Sequence, residues 1–168
     1  MGIFTKDIKS MDNLFLHVVQ DIYYAEKQII KAMPGMIEKA TNRELTAAFK
    51  SHLEETHKQV SRLEQVFQLL NESPKGTSCP AIDGILNEAK EIAAEVADKK
   101  VLDAALIAAA QAVEHYEITR YGTLSAWAVQ LGHEAIAKLL GITLREERAT
   151  DRKLSAIAEK KVNLKAVG

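Results

Sequence analysis

The sequence predicts an all-α fold built from two copies of a helical hairpin, and three observations predict it. Aromatics are only 5% of the 168 residues, with eight Gly and three Pro, and strands and tight turns use more of all three. Apolar residues recur at helical spacing through most of the chain. The chain also repeats itself at an offset of 91 positions: Ile22-Tyr23-Tyr24-Ala25-Glu26 falls on Val113-Glu114-His115-Tyr116-Glu117. The register then holds, with Leu45 on Ile136, Leu63 on Leu154 and Val66 on Ile157. Acid falls on acid twice, Glu26 on Glu117 and Glu55 on Glu146.

The elements follow in order. After a short lead-in over residues 1–9, Ser10 caps a first helix that runs to about Ala40, with Asp12 in its first turn. Pro34-Gly35 falls inside it, but Met36 and Ile37 continue the apolar stripe, so a kink is expected there. Thr41 and Glu44 have capping-box spacing, so a second helix begins near Asn42 and reaches about Asn71. The stretch from Ser73 to Pro80 is the clear loop. A short helix over about 82–97 follows, then a third long helix from about Val101 to Leu131, stopped by Gly132. The fourth long helix runs from about Glu134 to Lys161, and the basic tail of Lys160, Lys161 and Lys165 is a solvated end. Two tight hairpins joined by one long crossover make a ferritin-like four-helix bundle, with the short extra helix in the crossover. The chain reads as one such domain over residues 1–168, with its bundle core at about 11–161. The third helix is alanine-rich and apolar nearly all round, which calls for burial on more than one side. The crossover helix could cover part of it and a second subunit the rest, so a homodimer is expected.

A net charge of −1 supplies no field for gathering phosphates, which argues against nucleic acid as partner. No secretory leader opens the chain and no apolar run is long enough to span a membrane, so a soluble cytoplasmic protein is expected. The single cysteine, Cys79, excludes an intramolecular disulfide and agrees with a reducing compartment.

The chemistry lies in acids on inner helix faces. Glu26 is roughly 45° from the centre of the first helix's stripe, and Glu117 about 35° from that of the third. Glu147 falls nearly at the middle of the fourth stripe, Glu146 on its flank, and Glu114 on the flank of the third at about 95°. On the second helix, Glu54 and His57 form the Glu-x-x-His spacing that di-iron bundles use. Yet they share an angular sector with Lys50, Lys58 and Ser61, so they read as a solvated face. Glu55 is the acid nearest the core, while His52, Thr56 and Gln59 point inward. The hairpin turns bring Glu26 level with Glu55, and Glu117 level with Glu147. Several buried carboxylates at one height need cations or protons to compensate them. The candidate metal ligands are therefore Glu26, Glu55, Glu114, Glu117 and Glu147. The bland reading is a protonated or basic-paired cluster, with Arg120 as its counter-ion. His115 reads as a packed or interface histidine.

The chain resembles the YciF-type stress proteins of enteric bacteria, a branch of the ferritin-like superfamily, over roughly residues 12–160. The resemblance rests on Ala25-Glu26-Lys27-Gln28, His52-Leu53-Glu54-Glu55-Thr56, Asp103-Ala104-Ala105-Leu106-Ile107, Val113-Glu114-His115-Tyr116-Glu117 with Tyr121-Gly122-Thr123-Leu124, and Glu146-Glu147 followed by Ala149-Thr150-Asp151. It implies a dimeric four-helix core with a di-metal site like that of rubrerythrin, in a stress protein whose reaction is unassigned. The chain departs from the wider ferritin-like pattern on the fourth helix, where Thr150 stands three residues after Glu147 in place of a histidine. Such an oxygen-rich site suits iron(II) or manganese over tight zinc binding. Two functions are expected from this: a di-metal carboxylate protein handling oxygen or peroxide under stress, or a metal-free dimeric structural or interaction protein of the stress response. Whether the first would make it an enzyme stays open.

Overall fold

A computed structural model describes residues 7–168, and positions 1–6 of the expected lead-in lie outside the described residues. The long helices are α1 (Met11–Lys39), α2 (Arg43–Leu69), α4 (Lys99–Gln130) and α5 (Glu134–Ile157). Helix α3 (Pro80–Glu95) lies in the crossover between α2 and α4. In the core, α1 packs on α2 and α4, and α5 packs on the same two, so the four close a square. Helix α3 lies outside it, against α4 and α1.

Local chemistry sets the ends. The Ser10 hydroxyl accepts from the Asn13 amide, capping α1 as expected. Helix α1 continues through Pro34, which is exposed. The cap of α2 differs from expectation. Asn42, not Thr41, accepts from the Glu44 and Leu45 amides. Thr41 is taken by tertiary structure instead: buried Asp103 on α4 accepts from its amide and from its hydroxyl, both at 2.7 Å. One carboxylate thus holds the α1–α2 turn to the start of α4. Gly132, at φ +76°, ends the α4 side of the second hairpin in the left-handed region where glycine carries no Cβ penalty. Gly76 has a different reason: a Cβ there would lie 2.9 Å from that of Tyr24, so the crossover can run this close to α1 only without one.

The expected straight run of α5 to Lys161 is broken. After Ile157 the chain makes a π-helical turn over Ala158–Val162 and ends in α6 (Asn163–Val167). The turn lays Val162 into the core, and Lys161 pairs with Glu44. The apolar α4 is covered within one chain by α1, α3, α5 and the C-terminal turn. Among its large apolar side chains, Val101 and Val129 remain exposed. Cys79, expected in an open loop, is buried and sits 2.9 Å from the Tyr116 hydroxyl. No helix among the described residues is long and apolar enough to cross a membrane.

Candidate metal centre

The apolar core is interrupted at mid-height by one polar layer. Helix α1 contributes Glu26, α2 His52, Thr56 and Gln59, α4 Glu114, Glu117 and Tyr121, and α5 Thr143, Glu147 and Thr150, all buried. All but Glu114, which sits on the flank of α4, lie on the inner stripe of their helix between apolar residues above and below, such as Phe49 and Leu63 on α2. The helices therefore fold on apolar surface, and the polar side chains are carried inward at fixed height.

Within this layer, ligand-type atoms of His52, Glu114, Glu117 and Glu147 all lie within 4.8 Å of one another. His52 Nε2 is 3.1 Å from a Glu114 oxygen. Glu26 adjoins the group through Glu117 and accepts a hydrogen bond from the Tyr121 hydroxyl. Gln59 donates to Glu147 and, at 3.2 Å, to Glu146. Among the described residues, five buried carboxylate oxygens meet no donor outside the acid group: one each on Glu26, Glu114 and Glu147, and both on Glu117; within the group, protons are shared between Glu26 and Glu117 and between Glu114 and Glu147. The Nδ1 atom of His52 is without a hydrogen-bond partner among the described residues.

The electrostatics follow from burial. Desolvation, reinforced by the Glu147 charge, pushes the carboxyls of Glu26 and Glu114 well above their usual range. Desolvation and then the charges of Glu26 and Glu147 do the same to Glu117. Burial raises Glu147 to about 7, against hydrogen bonds from its neighbours. Burial lowers His52 to about 4, so its imidazole is neutral at neutral pH with a lone pair to offer. Neutral, it cannot compensate the acids.

Comparison with known proteins agrees with this architecture. Residues 10–167 match the family described as a domain of unknown function, DUF892. This chain belongs to the DUF892 family. It is 46% identical to Protein YciF of Escherichia coli strain K12 over 161 residues, covering 95% of this chain and 97% of that one. The crystal structure of that E. coli stress protein superposes with a TM-score of 0.88, covering 93% of this chain and 99% of that one. YcfI of Rhodopseudomonas palustris, a candidate structural protein, is 59% identical, with a TM-score of 0.89 over 91% of this chain and 98% of that one. A Xanthomonas campestris protein at 22% identity and a TM-score of 0.72, over 89% of this chain and 92% of that one, shares the fold. The resemblance to YciF-type proteins is thus shown.

In this DUF892 chain Glu26, Glu114, Glu117 and Glu147 come together, whereas Glu55 is only half-buried and meets the Thr150 hydroxyl at the rim. Glu54 and His57 are exposed, as their angular sector implies. Glu114, placed on a flank by its angle, is only 1% exposed. The reason is that α4 is packed on several sides, so its flank has no solvent to face. Arg120 is not the cluster's counter-ion. Its guanidinium lies 5.1 Å from the centre of the Tyr116 ring, and the nearby basic group, Arg62, is held bidentately by Glu146 at 2.9 and 3.0 Å. His115 is exposed and lies 3.3 Å from Asp151. The ligand-type residue missed from the candidate set is His52. Its inward angle was legible, but the acid-first Glu-x-x-His spacing draws attention to Glu54 and His57 on the opposite face.

Proposed function

We propose that this chain is a ferritin-like stress-response protein of the cytoplasm whose buried cluster binds a pair of iron(II) or manganese(II) ions. The observation that carries the reading is the set of five buried carboxylate oxygens that meet no donor outside the acid group, beside a neutral imidazole. An unmet buried acceptor costs about 1–3 kcal/mol, and once the acids ionise, divalent cations compensate them in a way that neither Arg62 nor Arg120 does. Glu26, Glu114, Glu117, Glu147 and His52 would hold the ions, with Glu55 at the rim. The donor set is mostly carboxylate with one imidazole, which suits these metals. Bound there, they would supply redox chemistry toward dioxygen or peroxide. The chain's own part is orientation and exclusion of water: Gln59 fixes Glu147, Tyr121 fixes Glu26, and the apolar layers above and below keep bulk solvent out. We also propose a homodimer, as the resemblance to YciF-type proteins implies, although α4 is covered within one chain; sedimentation showing a monomer at micromolar concentration overturns it.

The test is anaerobic loading of chelator-treated protein with iron(II) or manganese(II), desalting and elemental analysis. About two ions per chain are expected, with loss of both in Glu117→Ala. Wild-type protein that retains neither metal sinks the reading. A second reading, a metal-free helical protein acting by interaction, draws on one observation. Under the 91-residue offset, Thr56 and Gln59 stand where the other half has Glu147 and Thr150, so α2 offers no carboxylate at the level of Glu147.

A further inference from the structure

We propose that the cleft between α2 and α5 is the port by which a small uncharged hydroxylic molecule, the size of water or hydrogen peroxide, reaches the acid cluster. The proposal rests on the cluster being the functional site and adds which molecules it admits and by which side.

Two spaces and the wall between them carry the argument. The outer one is an open cleft of about 400 Å3 whose buried lining includes Ala48 and His52 from α2 and Thr150 from α5, with Ala149 exposed at its rim. The inner one, inside the bundle, measures about 20 Å3 and is enclosed by Ile29, Met33, Phe49, Val113 and Leu154, with His52 and Glu114 in its lining. Ala48, His52 and Thr150 line both. The wall is therefore one side chain thick, two of its three members are small, and the third belongs to the cluster.

Charge and size select the guest. The cleft is lined by two acids, Glu55 and Glu146, and two bases, Arg145 and Lys153, and Arg62 already pairs with Glu146. The mouth therefore carries a slight excess of positive charge, which disfavours cations, while the acids behind it disfavour anions. The inner space holds about one water-sized body, which excludes a cation in its hydration shell. Its surface is nearly all apolar, and His52, Glu114 and Thr150 are the polar residues that border it. Two of these, His52 and Thr150, stand in the wall shared with the cleft, so an uncharged hydroxylic guest passes hydrogen-bonding side chains on its way and sheds less hydration than an ion.

The inner space has a second side. Ala32, Met36 and Leu86 separate it from a groove of about 600 Å3 between α1 and α3. That groove touches none of the cluster residues, and its shared wall carries no polar side chain. The polar route is the α2–α5 side.

Met33 is a built-in reporter, because it lines the inner space but neither outer cleft, and is 3% exposed. Hydrogen peroxide arriving there transfers one oxygen to the thioether, giving the sulfoxide and water. Chelator-treated full-length protein is exposed to dilute peroxide, and sulfoxide at Met11, Met33 and Met36 is followed by peptide mass spectrometry. Met33 should oxidise in the folded wild type. Ala149→Trp and Ser51→Trp, both at the rim and outside the cluster, should slow Met33 about tenfold, an added barrier of ~1.4 kcal/mol, and leave exposed Met11 unchanged. The bulkier tert-butyl hydroperoxide should oxidise Met11 and spare Met33 in the wild type, a control that needs no variant. The proposal is overturned if Met33 resists peroxide in the wild type, if both folded rim variants leave its rate unchanged, if Ala89→Trp in the α1–α3 groove protects it instead, or if the bulky peroxide reaches it equally well. Because the protein carries no metal in this experiment, failure to bind metal would sink the di-metal reading and leave the port standing, and the reverse holds too.

Discussion

Raising the pH above 6.5 should destabilise the metal-free protein. Glu26, Glu114 and Glu117 have carboxyls raised well above 4.5 by burial, and Glu147 is raised to about 7. A carboxyl raised on folding binds its proton more tightly in the native state, so its contribution is complete below the unfolded value of 4.5 and fades as pH climbs through the folded value. His52 works the other way. Its value falls from 6.5 to about 4, so it favours the native state more as pH rises through that interval. Between about pH 4.5 and 6.5 it therefore offsets one carboxylate, and above 6.5 the acids act alone. Each proton held only by the native state makes stability fall by about 1.4 kcal/mol per pH unit. Glu147, at about 7, by itself gives up about 1 kcal/mol between pH 6.5 and 8.5, and the three acids raised beside it add to that in the same direction. For a chain of this size that floor lowers Tm by roughly 2–4 °C. Calorimetry of chelator-treated protein at constant ionic strength reads the change directly. Saturating manganese(II) should remove or invert the slope, because cations then replace protons. A metal-free Tm that is flat or rising from pH 6.5 to 8.5 would refute the claim that this cluster is a desolvated acid group without a basic partner.

Three further outcomes follow from the same geometry. Glu147→Gln should leave metal-free stability at pH 8 unchanged or raise it while impairing metal uptake, because it removes a charge from a repelling group; a loss of about 3–5 kcal/mol in unfolding experiments would instead mark a structural ion pair. Asp103→Ala should cost about 1–2 kcal/mol in denaturant unfolding, since it removes two hydrogen bonds to the exposed Thr41 that hold the first hairpin turn to α4. Glu54→Ala and His57→Ala should each stay within about 0.5 kcal/mol of wild type and leave metal stoichiometry intact, and a lost ion in either would restore the spacing motif as the ligand source.

Helix positions and inner faces were legible because both depend on near-neighbour periodicity. The stripe through Leu45, Phe49 and Leu63 placed Glu54 and His57 outside and His52, Thr56 and Gln59 inside before any packing was known. The 91-residue offset likewise paired α1 with α4 and α2 with α5, and with them Glu26 with Glu117. Angle alone was insufficient at flanks. Glu114, at about 95° from its stripe, faces solvent on a helix packed on one side and the core on a helix packed on several, and only the neighbours of α4 decide which.

The amino-acid order alone thus determined the all-α class, the hairpin duplication and which acids turn inward, since each follows from spacing along one helix or between two similar segments. The tertiary structure decided the partnerships: Thr41 with Asp103 in place of a capping box, Arg62 with Glu146, and His52 with Glu114. Those pairs lie 84 positions apart in sequence at Arg62 and Glu146, and 62 at Thr41 and Asp103. No local periodicity encodes such distances. They are set by the relative height and rotation at which whole helices pack, which is a sum over the entire apolar core.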